Sequence, residues 1–221
     1  MNKMKKVLCM VLSVVLGLSV LTACGGSEFD AAGLVKGNLD LIYLNEYTEE
    51  YLELVTMTPE DAQATYEQGI AVEVAYFVEA FGINLDVCDP SVKEELTEIY
   101  TQLYSHSKYE VGETTKNENG YEVSLTVYPI DVMYLVITED CEDFVNEWTL
   151  RNTNGEFSGM EQAEYETLWA QGILELVKAR MENVGYMEPQ TISVTVALDT
   201  DECYVIEDAD FQSIDSLIIQ Y

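Results

Sequence analysis

Asn117-Glu118-Asn119-Gly120-Tyr121-Glu122-Val123-Ser124-Leu125-Thr126-Val127-Tyr128 is the stretch whose reading decides the fold. Val123, Leu125 and Val127 alternate with Glu122, Ser124 and Thr126. A period of two is that of a strand with one face in the core and one face in water. Asn117–Gly120 is a hairpin-turn signal, so Lys108–Thr115 is predicted to pair back onto this strand, and Pro129 to end it. The same alternation returns once. Ile192, Val194, Val196 and Leu198 alternate with Thr191, Ser193 and Thr195. Asp199–Glu202 is the turn that follows, and Cys203–Glu207 the return strand.

Around these hairpins the spacing is helical. Leu34, Val35, Leu39, Ile42 and Tyr43 recur at three- and four-residue steps over about Ala31–Leu44, and a short helix is predicted over Glu49–Val55. Thr58-Pro59-Glu60-Asp61 is a start signal: a capping hydroxyl, a proline suited to the first helical position, and acids at the positive end of the dipole. That helix should run to Phe81, with Gly82 ending it. Asp89-Pro90 repeats the signal for a helix reaching about Ser105. Helices are further predicted over Asp131–Leu150 and Met160–Asn183. Arg151–Gly159 is a polar loop, and Asp210 is expected to cap a last helix carrying Phe211, Ile214, Leu217 and Ile218.

The fold class expected is therefore α+β, with helices packed on antiparallel hairpins. Residues 31–221 should form one domain, with either one antiparallel sheet or two small packed ones. Two pseudo-repeated helix–hairpin–helix halves, 31–150 and 160–221, are one arrangement of it. Shifted by 103 residues, Gln68-Gly69-Ile70 falls on Gln171-Gly172-Ile173, Val74 on Val177, Glu79 on Glu182 and Gly82 on Gly185. Six identities of this kind fit either an old duplication or chance.

The 221 residues include 41 acidic and 10 basic side chains, for a formal charge of −31. At 48% hydrophobic the chain has enough apolar material for a packed core, which argues against disorder. So acidic a chain repels a polyanion, and no basic patch offsets the field, so nucleic acid is not an expected partner. A single long apolar run excludes a polytopic membrane protein.

That run opens the chain. Lys3, Lys5 and Lys6 precede Val7–Val20, which is too short to span a bilayer comfortably and has the length of a signal-peptide core. Leu21-Thr22-Ala23-Cys24 follows, then Gly25-Gly26-Ser27. This segment resembles the lipobox of bacterial lipoproteins. The resemblance implies a diacylglyceryl group on Cys24, cleavage between Ala23 and Cys24, and residence on the extracellular face of the cell membrane. It divides the chain into a signal peptide (1–23), a flexible tether (24–30) and the folded region (31–221). Loss of the signal takes three lysines and no acid, so seven basic and 41 acidic residues remain and the charge becomes −34. Two acyl chains anchor stably where one does so only marginally. More loosely, the long helix leading into a hairpin, and the run Cys203-Tyr204-Val205-Ile206-Glu207-Asp208-Ala209-Asp210-Phe211, resemble uncharacterised Gram-positive lipoproteins. The build this resemblance implies is cystatin-like or NTF2-like, and it implies no activity.

No signature of chemistry stands out. His106, the one histidine, sits between Ser105 and Ser107 where a helix should end, and is expected to meet solvent or the dipole. There is no nucleophile elbow, phosphate loop or zinc motif. Catalytic, cofactor and metal residues are expected to be none. Asp199, Asp201, Glu202, Glu207, Asp208 and Asp210 cluster near a turn but lack the calcium-loop pattern, so turn and cap roles are expected of them. Cys88, Cys141 and Cys203 remain after Cys9 leaves and Cys24 is lipidated. An odd number allows at most one internal disulfide, and three small buried hydrophobes are expected. Of 15 tyrosines, Tyr43, Tyr66, Tyr100 and Tyr104 fall at core spacing. Tyr109, Tyr121 and Tyr128 flank the first hairpin, the one place singled out for a pocket. The function expected is a non-enzymatic, lipid-anchored module binding a protein, peptide or wall component. The alternatives are the binding component of an uptake system, or a hydrolase working through paired carboxylates.

Overall fold

The computed structural model describes residues 29–200 and 203–221. The signal peptide, Cys24 and most of the tether lie outside the described residues, as do Asp201 and Glu202. The described chain forms two compact units, neither of them contiguous. The first takes residues 29–72, Ser107–Pro129 and Glu188–Ile218; the second takes Glu73–His106, Ile130–Met187 and Ile219–Tyr221. The units thus cut across the expected halves 31–150 and 160–221, since each draws on both.

All four strands belong to the first unit. β1 (Lys108–Lys116), β2 (Gly120–Tyr128), β3 (Gln190–Leu198) and β4 (Tyr204–Ile206) form one antiparallel sheet in that order. The α+β class is as the sequence indicates. Of the two arrangements left open, the single sheet is the one found, because β2 pairs with β3 in continuous register from Gly120 opposite Ala197 to Val127 opposite Gln190. Tyr121, Val123, Leu125 and Val127 are buried on one face, with Val194 and Val196 beside them. The opposite face is small and polar. Thr126 and Thr191 share a hydroxyl contact of 2.8 Å, and Ser193 Oγ donates to Glu122 Oε2 at 2.6 Å. β1 is one of the two edge strands, and its register breaks between Val111 and Thr114, where a bulge twists the edge.

Helix α1 (Ala31–Leu39) contacts β1 and β2, and supplies Leu34, Val35 and Leu39 to the core. Asp30 caps it by accepting from Gly33 N at 2.8 Å. α1 runs on through a π-helical turn, Asp40–Leu44, and stops at Asn45 in the left-handed region, with φ 54°. α2 (Glu49–Leu54) is capped by Thr48, and α3 (Pro59–Ala80) by Thr58, whose Oγ1 accepts from Asp61 N while Asp61 Oδ2 accepts from Thr58 N. That reciprocal box satisfies two orphan donors. At the other end of α3, Gly82 turns the chain at φ 65°. The last helix of the first unit, here α8 (Asp208–Ile218), lays Phe211, Ile214 and Ile218 against β2 and β3. Asp210 was expected to cap it. Instead Asp210 lies inside the first turn, and its Oδ2 accepts from Thr195 N of β3 at 2.7 Å. A strand N–H near the sheet's end outcompetes the helix for that carboxylate.

The second unit is helical. α4 (Ser91–Tyr104) packs on the long α7 (Gln162–Met181), as do α5 (Val132–Leu135) and α6 (Cys141–Thr153). The predicted unbroken helix over Asp131–Leu150 is two helices joined by a π-helical turn, Val136–Asp140. Arg180 holds that turn: its Nε and Nη2 bond Asp140 at 2.6 and 2.7 Å, and Nη2 also reaches Glu139 at 2.8 Å. Phe144 lies where a Cβ on Gly172 would come within 2.5 Å of it, so glycine lets α6 approach α7 closely. Glu73, a buried acid, accepts Tyr104 Oη at 3.1 Å and Tyr221 Oη at 2.9 Å, and the hydroxyls of Tyr221 and Tyr100 lie 2.5 Å apart. Burial and the charge of Glu73 hold the Tyr100 and Tyr221 phenols well above their usual range. Tyr43, Tyr66, Tyr100 and Tyr104 are core residues, as their spacing indicates.

In α8, burial pushes the Asp215 carboxyl up to about 6, and a hydrogen bond from Tyr43 Oη at 3.1 Å only partly offsets this. The folded protein thus holds a proton that the unfolded chain would release near pH 4. Stability contributed by this site falls as pH rises from about 4 to 6, and the cost is fully present above that. Asp215→Asn keeps an acceptor for Tyr43 and removes the charge. It should raise the unfolding free energy by on the order of 1–2 kcal/mol at pH 7.5 and by almost nothing at pH 4. Denaturant unfolding at the two pH values measures this.

Candidate functional site

The first unit contains a cavity of about 560 Å³ between the end of α1 and the start of β1. Asp40, first residue of the π-helical turn, is its centre. Lys36, one turn earlier, pairs with Asp40 from the same helix face. From the edge strand, Tyr109 Oη donates to Asp40 Oδ1 at 2.7 Å. Asp40 thereby joins helix to sheet while its side chain keeps 18% exposure. Leu44 and Val111 give the cavity an apolar wall, and Ser107, Lys108 and Glu110 complete its rim.

Two hydroxyls nearby are notable. Ser107 lines this cavity through its other atoms, while its Oγ is sealed from water and has no hydrogen-bond partner. Tyr51 Oη is also sealed and unpartnered, and its ring fills the space above Gly37, where a Cβ would come within 2.1 Å. An unmade bond at a buried hydroxyl costs roughly 1–3 kcal/mol. Asp40 keeps the α-helical spacing from Lys36, and the π-helical turn that begins there re-aims the residues that follow, Leu44 of the cavity wall among them. An inserted residue in a helix swings the following side chains round, and such turns are frequent at functional sites.

Burial, then the hydrogen bond to Asp40 and its charge, push the Tyr109 phenol far up. Tyr109 is therefore a fixed donor and not a base. Burial, and after it the charge of Asp40, does the same to Tyr51. Lys36 and Asp40 bring an ion pair to the cavity, whereas the charged groups of Lys108 and Glu110 lie on the opposite face of β1. Lys108 Nζ also sits 4.1 Å over the Tyr128 ring, and Tyr128 Oη donates to Glu110 at 2.8 Å.

Of the three tyrosines singled out in the sequence, only Tyr109 enters the cavity. Tyr121 is on the same face at the other end of the sheet, and Tyr128 points from the opposite face. His106 is exposed at the end of α4, and its carbonyl accepts Tyr186 Oη at 2.8 Å. Asp199 Oδ1 accepts Cys203 N at 2.9 Å, a turn-closing role. Among the described residues no group of three or more His, Cys, Asp or Glu side chains is placed to hold a metal ion. Cys88, Cys141 and Cys203 are free thiols, and Cys141, unlike the other two, is partly exposed. Burial raises the Cys88 and Cys141 thiols, which makes both poor nucleophiles. Lys36, Asp40 and Ser107 were not foreseen. The spacing of Lys36 and Asp40 was the available signal, but it also describes any exposed helix pair.

Tyr109 should remain protonated where ordinary phenols titrate, near pH 10. The phenolate absorbance gained between about pH 9 and 11 should be the same for Tyr109→Phe as for the parent. A smaller gain in the variant would show that Tyr109 ionises normally.

No protein-family model matches the chain, and no curated protein matches it in sequence. In fold it is similar to the crystal structure of a candidate lipoprotein, YcdA, from Bacillus subtilis subsp. subtilis str. 168, with a TM-score of 0.56 and 13% identity. The match covers 93% of this chain and 57% of that one, so the chain spans a little over half the length of that relative. At such identity the likeness is one of fold.

Proposed function

We propose that the chain is a lipid-anchored binding module on the extracellular face of the cell membrane, and that its ligand enters the cavity beside Asp40 and Tyr109. Leu21-Thr22-Ala23-Cys24 supports the anchor. A fold resembling that of a candidate lipoprotein is consistent with it. A helix laid across a four-stranded antiparallel sheet is in keeping with a cystatin-like build. The single observation favouring a ligand is the cavity that places the Lys36–Asp40 ion pair and the Tyr109 hydroxyl beside the apolar Leu44 and Val111. A molecule carrying both an amine and an acid group matches the two halves of that ion pair, so the ligand class is an amino acid or short peptide. A cavity of about 560 Å³ lies within the usual range for small ligands, roughly 300–1,000 Å³. The binding role is non-enzymatic.

Two measurements bear on this. In cell fractionation, Cys24→Ala should leave the membrane fraction for the medium or stay as an uncleaved precursor. A mature-length variant that still sediments with membranes would refute the anchor. Calorimetry of the domain from residue 29 onward, against a panel of amino acids and di- and tripeptides, should give saturable heat for at least one member. Asp40→Asn should weaken that binding by about tenfold or more, the worth of one hydrogen bond to a charged group. A panel with no saturable heat would refute the ligand class.

A further inference from the structure

Where the described chain begins is structurally well marked. The Phe29 ring stacks on Tyr204 with centroids 4.1 Å apart and 24° between planes. It also lies 5.7 Å from Tyr121, which meets Tyr204 edge-on at 5.4 Å. Tyr121 is the second residue of β2, just after the first hairpin turn, and Tyr204 opens β4, just after the second. In the sheet Lys116 pairs with Tyr121, and Leu198 with Tyr204. Both hairpin turns therefore occupy one end of the sheet, and the chain enters the first unit there. Lys108 and Tyr128 pair at the opposite end, about 26 Å away along the strand. α1 runs from the Phe29 end toward that far end, where the cavity lies under Asp40 and Tyr109.

Cys24 precedes Phe29 by five residues, a reach of at most about 18 Å. That is shorter than the strand. We infer that the sheet end carrying the two hairpin turns is the bilayer-facing end of the lipidated protein, clasped there by Phe29, and that the Asp40–Tyr109 cavity opens at the end away from the membrane. The inference rests on lipidation of Cys24. The partner is a lipid surface, and the reach of the chain between Cys24 and Phe29 sets the pose against it. The turn end carries Glu118 and Asp199 as well as Lys116, whose Nζ lies 5.4 Å over the Tyr121 ring. Its attraction to anionic headgroups is therefore not what holds it there; the two acyl chains are. A ligand would then reach the cavity from the side of the medium.

The test uses the lipidated full chain carrying Cys141→Ser, in vesicles of phosphatidylglycerol and phosphatidylethanolamine containing a small share of acceptor-dye lipid. A donor dye is placed at Glu118→Cys, on the first hairpin turn, or at Glu46→Cys, beyond the far end of α1. Transfer to the lipid acceptor should be at least about twofold more efficient from position 118, given a separation on the order of 26 Å. Phe29→Ala should erase that contrast while the protein stays with the vesicles. Equal transfer from both positions, or stronger transfer from position 46, would overturn the orientation, as would a contrast untouched by Phe29→Ala. The comparison of positions 118 and 46 stands even if Phe29→Ala fails to fold. Vesicle association that survives Cys24→Ala would instead refute the anchor, so the two failures are distinguishable.

Discussion

The pairing of β2 with β3 is the constraint on which the first unit rests. Val123 opposite Val194, and Tyr121 opposite Val196, put an apolar surface on one side of the sheet only. A slip of one residue would turn Val123, Leu125 and Val127 outward and bring Glu122 and Ser124 into the core. The outer face reinforces the same register through Thr126 with Thr191, and Ser193 with Glu122. Once that face exists, α1 and α8 must cover it. The chain from Ile130 to Met187 belongs to the second unit, and the return at Glu188 is what makes the pairing possible.

A second constraint is charge. With 41 acids and 10 basic residues, a carboxylate drawn into the fold cannot usually find a cation. Tyrosine fills that role. Tyr109 donates to Asp40, Tyr43 to Asp215, Tyr104 and Tyr221 to Glu73, and Tyr128 to Glu110. A phenol is a neutral donor on a large apolar body, so it packs into the core and satisfies an oxygen there. The 15 tyrosines are therefore not a row of binding aromatics. Several are donors to carboxylates that the few cations do not reach, as Tyr43 is to Asp215 and Tyr104 and Tyr221 are to Glu73. Asp40 differs from the others in having a cavity at its side and a lysine, Lys36, paired with it.

Much of this was legible along the chain. The two hairpins, the Thr58 cap, the stop at Gly82 and the core tyrosines all follow from local spacing. The π-helical turns at Asp40–Leu44 and Val136–Asp140 were not, because one extra residue in a turn leaves a three- and four-residue apolar pattern almost unchanged. Asp210 looked like a cap because caps are read from neighbours in sequence, whereas its partner, Thr195, is fifteen residues away in the next element but one. Phe29 looked like tether because nothing local shows that Tyr121 and Tyr204 would come together. Ser107 carried no signal at all, since an unmade hydrogen bond exists only once the surroundings are built.

The sequence by itself determined the α+β class, the alternation that defines the sheet's buried face, the expected lipid anchor and the acidic field. Each is a property of neighbours, of period or of composition, and needs no knowledge of what lies across the fold. Only the tertiary structure decided that two hairpins share one sheet, that each compact unit is drawn from separate stretches of chain, which tyrosine meets which acid, and that Asp40, Tyr109 and Ser107 line one cavity. Those are contacts between residues tens of positions apart. They depend on which buried surfaces pack together, and local pattern does not encode that choice.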